Sequence, residues 1–262
     1  MLTNLNITEE DIVEYEDAGA ICLRGLFDPS WIASLSESID QELAQDEEGK
    51  GQFQQAHTMA RVNSAVRKFV FESPSAAIAQ TLMRANSVRY FFDQLFVKEP
   101  GVEAPTPWHQ DQPYWPVDGR QICSIWLPLD PVTKANSGLE YVKGSHNWGK
   151  EYAAVSFTKR SSGLFDNSLR EKLPDFDTRR DDFDFLCWDM EPGDCLIHQA
   201  RTVHGASGNT TRDCRRRALS VRWLGDDARY RDNGEHVDPN LVDRSLTPGE
   251  PMISLKFPQV LS

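Results

Sequence analysis

The most informative stretch of this 262-residue chain is Pro107-Trp108-His109-Gln110-Asp111-Gln112-Pro113. Side chains two residues apart on an extended strand point to the same side. If this stretch is a strand, the His109 imidazole and the Asp111 carboxylate project toward one point. The stretch therefore predicts two ligands for a single metal ion.

A third ligand is expected from a later segment. Residues 193–205 read GDCLIHQARTVHG and contain both His198 and His204. Spacing alone does not choose between these two histidines. Gly205 permits a close backbone approach and favours His204. A further candidate, His146, lies in the turn-like sequence KGSHN and fits a structural role better.

The chain contains a second His-x-Asp pattern, His236-Val237-Asp238. A site with two histidines and one carboxylate needs another histidine from a later strand, and none follows His236. The surrounding sequence at 233–240, NGEHVDPN, is typical of a loop. This second pattern is not expected to bind a metal.

Two histidines and one carboxylate that leave coordination positions open form the facial triad of non-haem Fe(II) oxygenases. An anionic co-substrate at such a site needs a cation, and a bidentate guanidinium is the best partner for a carboxylate. Three adjacent arginines follow the ligand segment, at positions 215–217. Strand alternation would send Arg216 to one face and its two neighbours to the other.

The hydrophobic pattern predicts a mainly β fold with flanking α-helices. Short strand-like runs separated by turn residues indicate a sandwich or barrel, and we expect a jelly roll (double-stranded β-helix, cupin-like) with N-terminal helices packed on one sheet. Helix starts are expected at Thr8 and at Asp28-Pro29, and Gly19 should end the first helix. Strands are expected at 20–27, 88–98, 121–129, 138–142, 194–197 and 218–224, a helix at 75–84, and a loop at 47–55.

Length and texture predict one domain over residues 1–262. Its parts are an N-terminal helical region at about 8–85, a jelly-roll core at about 86–225 and a tail at 226–262. The charged stretch 148–186 interrupts the strand pattern, and we interpret it as an insertion of the kind that often covers active sites.

Composition narrows the partners and the compartment. The formal charge of −12 disfavours nucleic acid and anionic membranes, whose binding relies on Lys and Arg. The chain has neither a run of about 18 apolar residues nor a signal-like N-terminus. Its five cysteines include no C-x-x-C pair. We expect a cytoplasmic protein with a small-molecule partner, acting as a monomer or homodimer.

In this order, the motifs resemble the phytanoyl-CoA dioxygenase family of iron and 2-oxoglutarate-dependent oxygenases. In that family the distal histidine lies in an His-Gly-x-x-x-Asn-like segment, which residues 204–209, HGASGN, match. The resemblance implies Fe(II) held by His109, Asp111 and His204, with 2-oxoglutarate and O2 as co-substrates. It also selects Arg216, with Ala218 and Ser220 on the same face, although Arg215 or Arg217 would fit a register shifted by one.

Further positions match the family's co-substrate pocket. Lys98 corresponds to a lysine that approaches 2-oxoglutarate, Trp126 to an aromatic beside the same pocket, and Gln110 lies between two ligands. Trp126 could equally pack in the core. Three aromatic residues near the metal stretch could line the substrate pocket or belong to the core: Trp108, Tyr114 and Trp115.

The implied reaction is hydroxylation of an unactivated C–H bond of a small metabolite, with release of succinate and CO2. Related halogenases replace the carboxylate ligand with a small residue, so Asp111 makes halogenation unexpected. One alternative is a cupin-type metal-dependent isomerase or hydrolase, which has no need of Arg216 and Lys98. Another is a non-catalytic small-molecule sensor, which the intact ligand set disfavours.

Overall fold

The computed structural model describes residues 5–45, 53–155, 170–232 and 240–262. The second His-x-Asp pattern, at 236–238, lies outside the described residues. Two antiparallel sheets face each other and confirm the predicted jelly roll. Four helices precede the third strand: α1 (Glu9–Ala18), α2 (Pro29–Leu43), α3 (Ser64–Glu72) and α4 (Ser75–Leu82).

The predicted helix ends are confirmed where local chemistry marks them. The Thr8 hydroxyl accepts the Asp11 amide proton, and Gly19 ends α1 with φ +79°. Asp28 caps α2, with Pro29 in the first turn. Helix α3, which was not predicted, begins after Asn63, whose side chain accepts the Val66 amide proton.

The major sheet has seven strands. Its order is β1-β9-β6-β11-β3-β13, and β2 also pairs with β3. The strands are β1 (Ala20–Leu23), β2 (Phe53–His57), β3 (Val88–Lys98), β6 (Ile122–Pro128), β9 (Cys195–Gln199), β11 (Arg216–Leu224) and β13 (Gln259–Leu261).

The minor sheet has the order β4-β10-β7-β8, and β5 pairs with β12 in a two-stranded ribbon. Strand β8 lies at the end of the predicted insertion. The bounds are β4 (Thr106–His109), β5 (Val117–Asp118), β7 (Leu139–Val142), β8 (Phe185–Cys187), β10 (His204–Ala206) and β12 (Arg229–Tyr230).

Alternation on the major sheet separates a core from a polar interior. Leu219, Val221 and Trp223 of β11 pack outward in one buried cluster with residues of the helices. Residues 216, 220 and 222 therefore point inward, between the sheets. The N-terminal helices thus cover the outer face, and the inner face is left for the site.

Two strands also differ from the sequence prediction. Strand β2 overlaps the predicted loop at 47–55, because its residues pair with β3 over Gln94 to Lys98. The predicted tail contributes β13, which pairs with the other end of β3. Strands from the predicted helical region, core and tail thus join one sheet, and on this ground we propose that they form a single domain.

Candidate active site

The three predicted metal ligands converge at the end of the minor sheet. His204 on β10 lies opposite His109 on β4 in the antiparallel register. One donor atom from each of these residues and from Asp111 lies within 4.8 Å of the others. The Asp111 Oδ1 atom is 3.5 Å from His109 Nε2 and 3.9 Å from His204 Nε2. All three side chains are buried.

Strand alternation, from which the convergence was predicted, is wrong for Asp111. Strand β4 ends at His109, and Asp111 has helical angles, φ −73° and ψ −44°, at the start of a short 3₁₀ turn. The Asp111 and Gln112 amides both donate to the Ala200 carbonyl, which fixes this turn against the segment after β9. A turn, rather than strand alternation, aims the carboxylate at the histidines.

Backbone carbonyls set the orientation of both histidines. His109 Nδ1 lies 2.8 Å from the Pro107 carbonyl, and His204 Nδ1 lies 3.0 Å from the Thr202 carbonyl. A carbonyl only accepts, so each Nδ1 carries the proton and each Nε2 keeps its lone pair. The Nε2 atoms face Asp111, as metal ligands held by hydrogen-bonded partners do.

The second carboxylate oxygen of Asp111 is held by two donors. Its Oδ2 atom accepts from Ser124 Oγ at 3.1 Å and from His198 Nε2 at 3.3 Å. His198 Nδ1 in turn accepts from the Tyr141 hydroxyl at 3.1 Å. Asp111 Oδ1 is therefore the oxygen that remains available to a metal ion. His198 holds the Asp111 carboxylate in place and is not itself one of the three predicted ligands. His146 bonds to the Glu16 carbonyl, apart from this centre.

The charge states suit a divalent cation. Burial would raise the pKa of Asp111, but its polar contacts with His109 and His198 hold it well below its ordinary value. Burial and the neighbouring His109 and His198 lower the pKa of His204 well below its ordinary value. At neutral pH Asp111 is therefore ionised and His204 is neutral, which are the states that bind a metal.

A pair of buried cations lies along the same interior face. Arg216 of β11 is directly opposite Lys98 of β3, and both are buried. The Arg216 Nη2 atom donates to Ser137 Oγ at 3.4 Å, and its buried Nε has no hydrogen-bond partner among the described residues. Lys98 donates to the Ala104 and Ser207 carbonyls. Burial and Arg216 lower the pKa of Lys98 to about 7.

The neighbouring arginines face carboxylates elsewhere. Arg215 pairs with Glu99 at 2.9 Å, and Arg217 pairs with Asp130 at 2.7 Å. Alternation therefore leaves Arg216 as the arginine of this triplet that points inward. Ser220 lies four residues further along β11 and also points inward. Its buried Oγ lacks a hydrogen-bond partner among the described residues.

Trp126 and Gln110 occupy different surroundings. The Arg216 guanidinium carbon lies 5.5 Å from the centre of the Trp126 ring, so Trp126 is a wall of the cationic pocket. Gln110 is buried, and its amide donates to the Lys150 and Arg201 carbonyls while accepting the Tyr152 amide proton. Gln110 thus connects the predicted insertion to the turn that carries Asp111. Its contact with a co-substrate stays a prediction.

The three aromatic residues named for the substrate are separated in the structure. Trp108 packs against Phe176 with tilted rings and donates a hydrogen bond to Asp177, and both partners belong to the insertion. Trp115 is buried in a separate hydrophobic cluster. Tyr114 is half-buried; its ring meets that of His109 edge-on at 6.0 Å, and its hydroxyl bonds the Val155 backbone.

The sequence analysis missed residues that reach the site because strands distant in sequence lie next to each other. Ser124 reaches Asp111 only because β6 lies beside β9 and β11, and Tyr141 reaches His198 across the two sheets. Arg222 continues the inward row of β11 and was a detectable polar residue in an apolar strand. No spacing in the sequence links these residues to the metal motif.

Comparison with known proteins agrees with this fold and site. Residues 15–218 match the family model for phytanoyl-CoA dioxygenase (PhyH). The dioxygenase aneA of Aspergillus aculeatus is 23% identical over 257 residues, covering 89% of this chain and 77% of that protein.

Two solved structures share the fold over nearly the whole chain. The 2-oxoglutarate-dependent carbocyclase SnoK from nogalamycin biosynthesis has a TM-score of 0.76 at 22% identity, covering 97% of each chain. The epimerase SnoN, in complex with Fe3+, alpha-ketoglutarate and nogalamycin RO, has a TM-score of 0.75 at 22% identity, covering 96% of this chain and 98% of SnoN.

The fold and the buried His-Asp-His cluster define a jelly-roll protein of the dioxygenase class. The chain belongs to the phytanoyl-CoA dioxygenase family. This membership confirms the predicted family and the predicted enzyme class, a 2-oxoglutarate-dependent dioxygenase. In the described part of the chain, no helix combines the length and apolar character needed to cross a membrane.

Proposed function

We propose that this protein uses Fe(II), 2-oxoglutarate and O2 to hydroxylate an unactivated C–H bond of a small molecule. The observation that carries this proposal is the pairing of two features in one interior. The first is the cluster of His109, Asp111 and His204, and the second is the buried cation pair of Arg216 and Lys98. These two features match the two ends of 2-oxoglutarate: the metal centre would bind the keto acid end, and the cations would bind the distal carboxylate.

The donor set fits iron. Two neutral imidazoles and one carboxylate, all from one side, form the triad that leaves positions open for other ligands. When bound, Fe(II) with 2-oxoglutarate supplies the oxidant that breaks the C–H bond, with release of succinate and CO2. The protein's own residues orient the donors, keep Asp111 ionised and exclude water from the interior.

The cation pair fits the distal carboxylate of 2-oxoglutarate. The planar guanidinium of Arg216 offers parallel donors to a carboxylate, and Nε still has capacity. Ser220 offers a hydroxyl on the same face. Burying the Arg216 guanidinium is costly unless an anion offsets its charge, so an anion beside Arg216 is favoured.

These cations also separate the proposal from its rivals. An isomerase or hydrolase of cupin type needs the metal donors but not a second, buried anion clamp. A sensor that had lost catalysis would have no need of three intact donors. The related SnoK and SnoN are a carbocyclase and an epimerase. We propose hydroxylation for this protein because adding a hydroxyl group to the substrate carbon requires no further protein group. The Asp111 carboxylate disfavours halogenation.

The proposal is tested by anaerobic titration of the metal-free protein with Fe(II) and then 2-oxoglutarate. We expect the visible charge-transfer band of a chelated keto acid, and we expect it to require His204. A bound metal without this band would favour the cupin-type alternative. A protein that binds no metal would favour the sensor.

Replacing His198 with leucine should weaken Fe(II) binding. The change removes one of two donors to Asp111 Oδ2, and partners that orient a metal ligand are typically worth about 10- to 100-fold in affinity. Competition with a calibrated chelator measures the affinity. His146→Leu, which alters a histidine bonded to a backbone carbonyl elsewhere, is the matched control. Equal loss in both variants would mean that His198 has no particular role.

Binding of 2-oxoglutarate should weaken as the pH rises above 7. Lys98 titrates at about 7 in the free site, and a dianion prefers the protonated amine. Below that pH the charge is already present; above it, binding must recruit a proton, which costs up to about ten-fold in affinity per pH unit. Titrations between pH 6.5 and 8.5 follow the dissociation constant. Lys98→Met should bind more weakly and show a flat profile; a flat profile in the unaltered protein would contradict this assignment.

A further inference from the structure

We propose that the substrate carries a carboxylate and that Arg222 binds it in the interior of the jelly roll. This inference rests on the proposed function, because it concerns the substrate of the same site. It names a charged contact that is distinct from the Arg216 pocket.

Arg222 lies level with the metal centre. On β11 it is the cross-strand partner of Ser124, and Ser124 donates to the Asp111 carboxylate. Arg216 is six residues away on the same strand, which is about 20 Å at the usual rise of about 3.3 Å per residue. The two arginines thus start from different points of β11, and Arg222 is the one in register with Ser124.

The guanidinium of Arg222 is buried and forms no ion pair with any described residue. The residue is 4% exposed, and no carboxylate of the described residues lies within salt-bridge distance of it. Its Nη1 and Nη2 atoms donate to neutral oxygens, the Ser220 carbonyl at 3.2 Å and Gln94 Oε1 at 3.0 Å. Its buried Nε has no hydrogen-bond partner among the described residues.

The nearby acids are committed elsewhere. Both oxygens of Asp93 accept backbone amide protons, from Met59 and Ala60, on the opposite face of β3. Asp111 already holds Ser124 and His198 through Oδ2, and a bound metal would offset its charge. Among the described residues, the cation thus lacks a counter-ion once a metal is bound.

Aromatic rings hold the cation in place without satisfying its donors. The guanidinium carbon lies 4.6 Å from the ring centre of Phe92, 5.7 Å from that of Phe96 and 5.9 Å from that of Trp115. Ring faces stabilise a cation electrostatically but accept no strong hydrogen bond. A monoanion with two acceptor atoms, such as a carboxylate, completes this environment with matching charge and geometry.

The residues of β2 connect this cation to solvent. Gln55 and His57 are exposed, and both contact the side-chain nitrogen of Gln94, at 3.1 and 2.8 Å. The oxygen of the same amide accepts from Arg222. One buried side chain therefore separates Arg222 from the surface, and a carboxylate oxygen could replace the Gln94 oxygen as its acceptor.

The test uses a matched pair of probes, 3-phenylpropionate and 3-phenylpropanamide, which differ in charge but hardly in shape. Each is titrated by calorimetry, without O2, into protein saturated with Fe(II) and 2-oxoglutarate so that Arg216 is occupied. We expect the acid to bind at least about ten-fold more tightly than the amide, as for a hydrogen-bonded charge.

Two variants should abolish this preference. Arg222→Gln removes the cation, and Gln94→Glu supplies an internal carboxylate that occupies it; Arg89→Gln, an arginine at the other end of β3, should leave the preference unchanged. Melting curves identify any variant that has not folded, and Gln94→Glu keeps the test valid if Arg222→Gln fails to fold.

The outcomes separate this inference from the proposed function. Equal binding of acid and amide, no binding of either, or a preference that survives in both folded variants would overturn the Arg222 assignment. Absence of the charge-transfer band during loading would instead overturn the proposed function. An Arg222-dependent preference in a protein without the band would leave the anion site standing and remove its link to oxygenase chemistry.

Discussion

Asp111→Ala is expected to lower turnover at least about 1000-fold, because the carboxylate is the single charged donor of the proposed triad. The two remaining imidazoles are neutral and would hold Fe(II) weakly. Turnover is measured as succinate released from 2-oxoglutarate in air, which needs no known substrate, and iron content is measured after desalting.

Two further variants make the Asp111 result specific. Asp111→Asn keeps the size and one acceptor oxygen for Ser124 and His198, and it should lose turnover while retaining the fold. Asp118→Ala removes an exposed carboxylate that pairs with Arg231, and it should match the unaltered protein. Retained iron and turnover in folded Asp111→Ala would show that the metal lies elsewhere.

Arg216→Ala is expected to raise the 2-oxoglutarate concentration needed for half-saturation by about 100-fold or more. Loss of one partner from a buried charge pair costs about 3–5 kcal/mol, and here the unpaired partner would be the co-substrate carboxylate. The effect is followed through the charge-transfer band, which separates binding from later chemistry.

The adjacent arginines supply the matched controls for Arg216. Arg215→Ala and Arg217→Ala remove cations paired with Glu99 and Asp130, outside the interior. They should change the half-saturating concentration by less than about three-fold, because alternation directs both side chains away from the Arg216 pocket. Arg216→Lys should fall between, because an ammonium cannot form the bidentate contact. A similar loss in all three alanine variants would show that Arg216 has no distinct role.

Local chemistry was predictable from sequence, and pairing was not. Thr8, Gly19 and Asp28 act within a few residues of themselves, so their capping roles follow from residue type. His109 and Asp111 lie close together as predicted, but the Asp111 carboxylate reaches its position through a turn anchored on Ala200. That anchor joins residues almost ninety positions apart, and no local pattern encodes it.

The co-substrate pocket shows the same division. Alternation alone indicated that Arg216 differs from its neighbours, and the structure places it inside. The partners that make its position distinctive, Lys98 and Ser137, come from other strands. Arg222 was overlooked because no spacing in the sequence connects it with the metal motif; its significance lies in the lack of a counter-ion among the described residues.

The register between β4 and β10 ties the metal centre to the integrity of the minor sheet. Strand β4 is the outermost strand of that sheet, four residues long, and its pairing with β10 is irregular after His204. A metal ion bound by both His109 and His204 would cross-link β4, which few backbone pairs hold in the sheet, to β10. Occupancy of the centre would thus protect an open sheet border from fraying and from pairing with other chains.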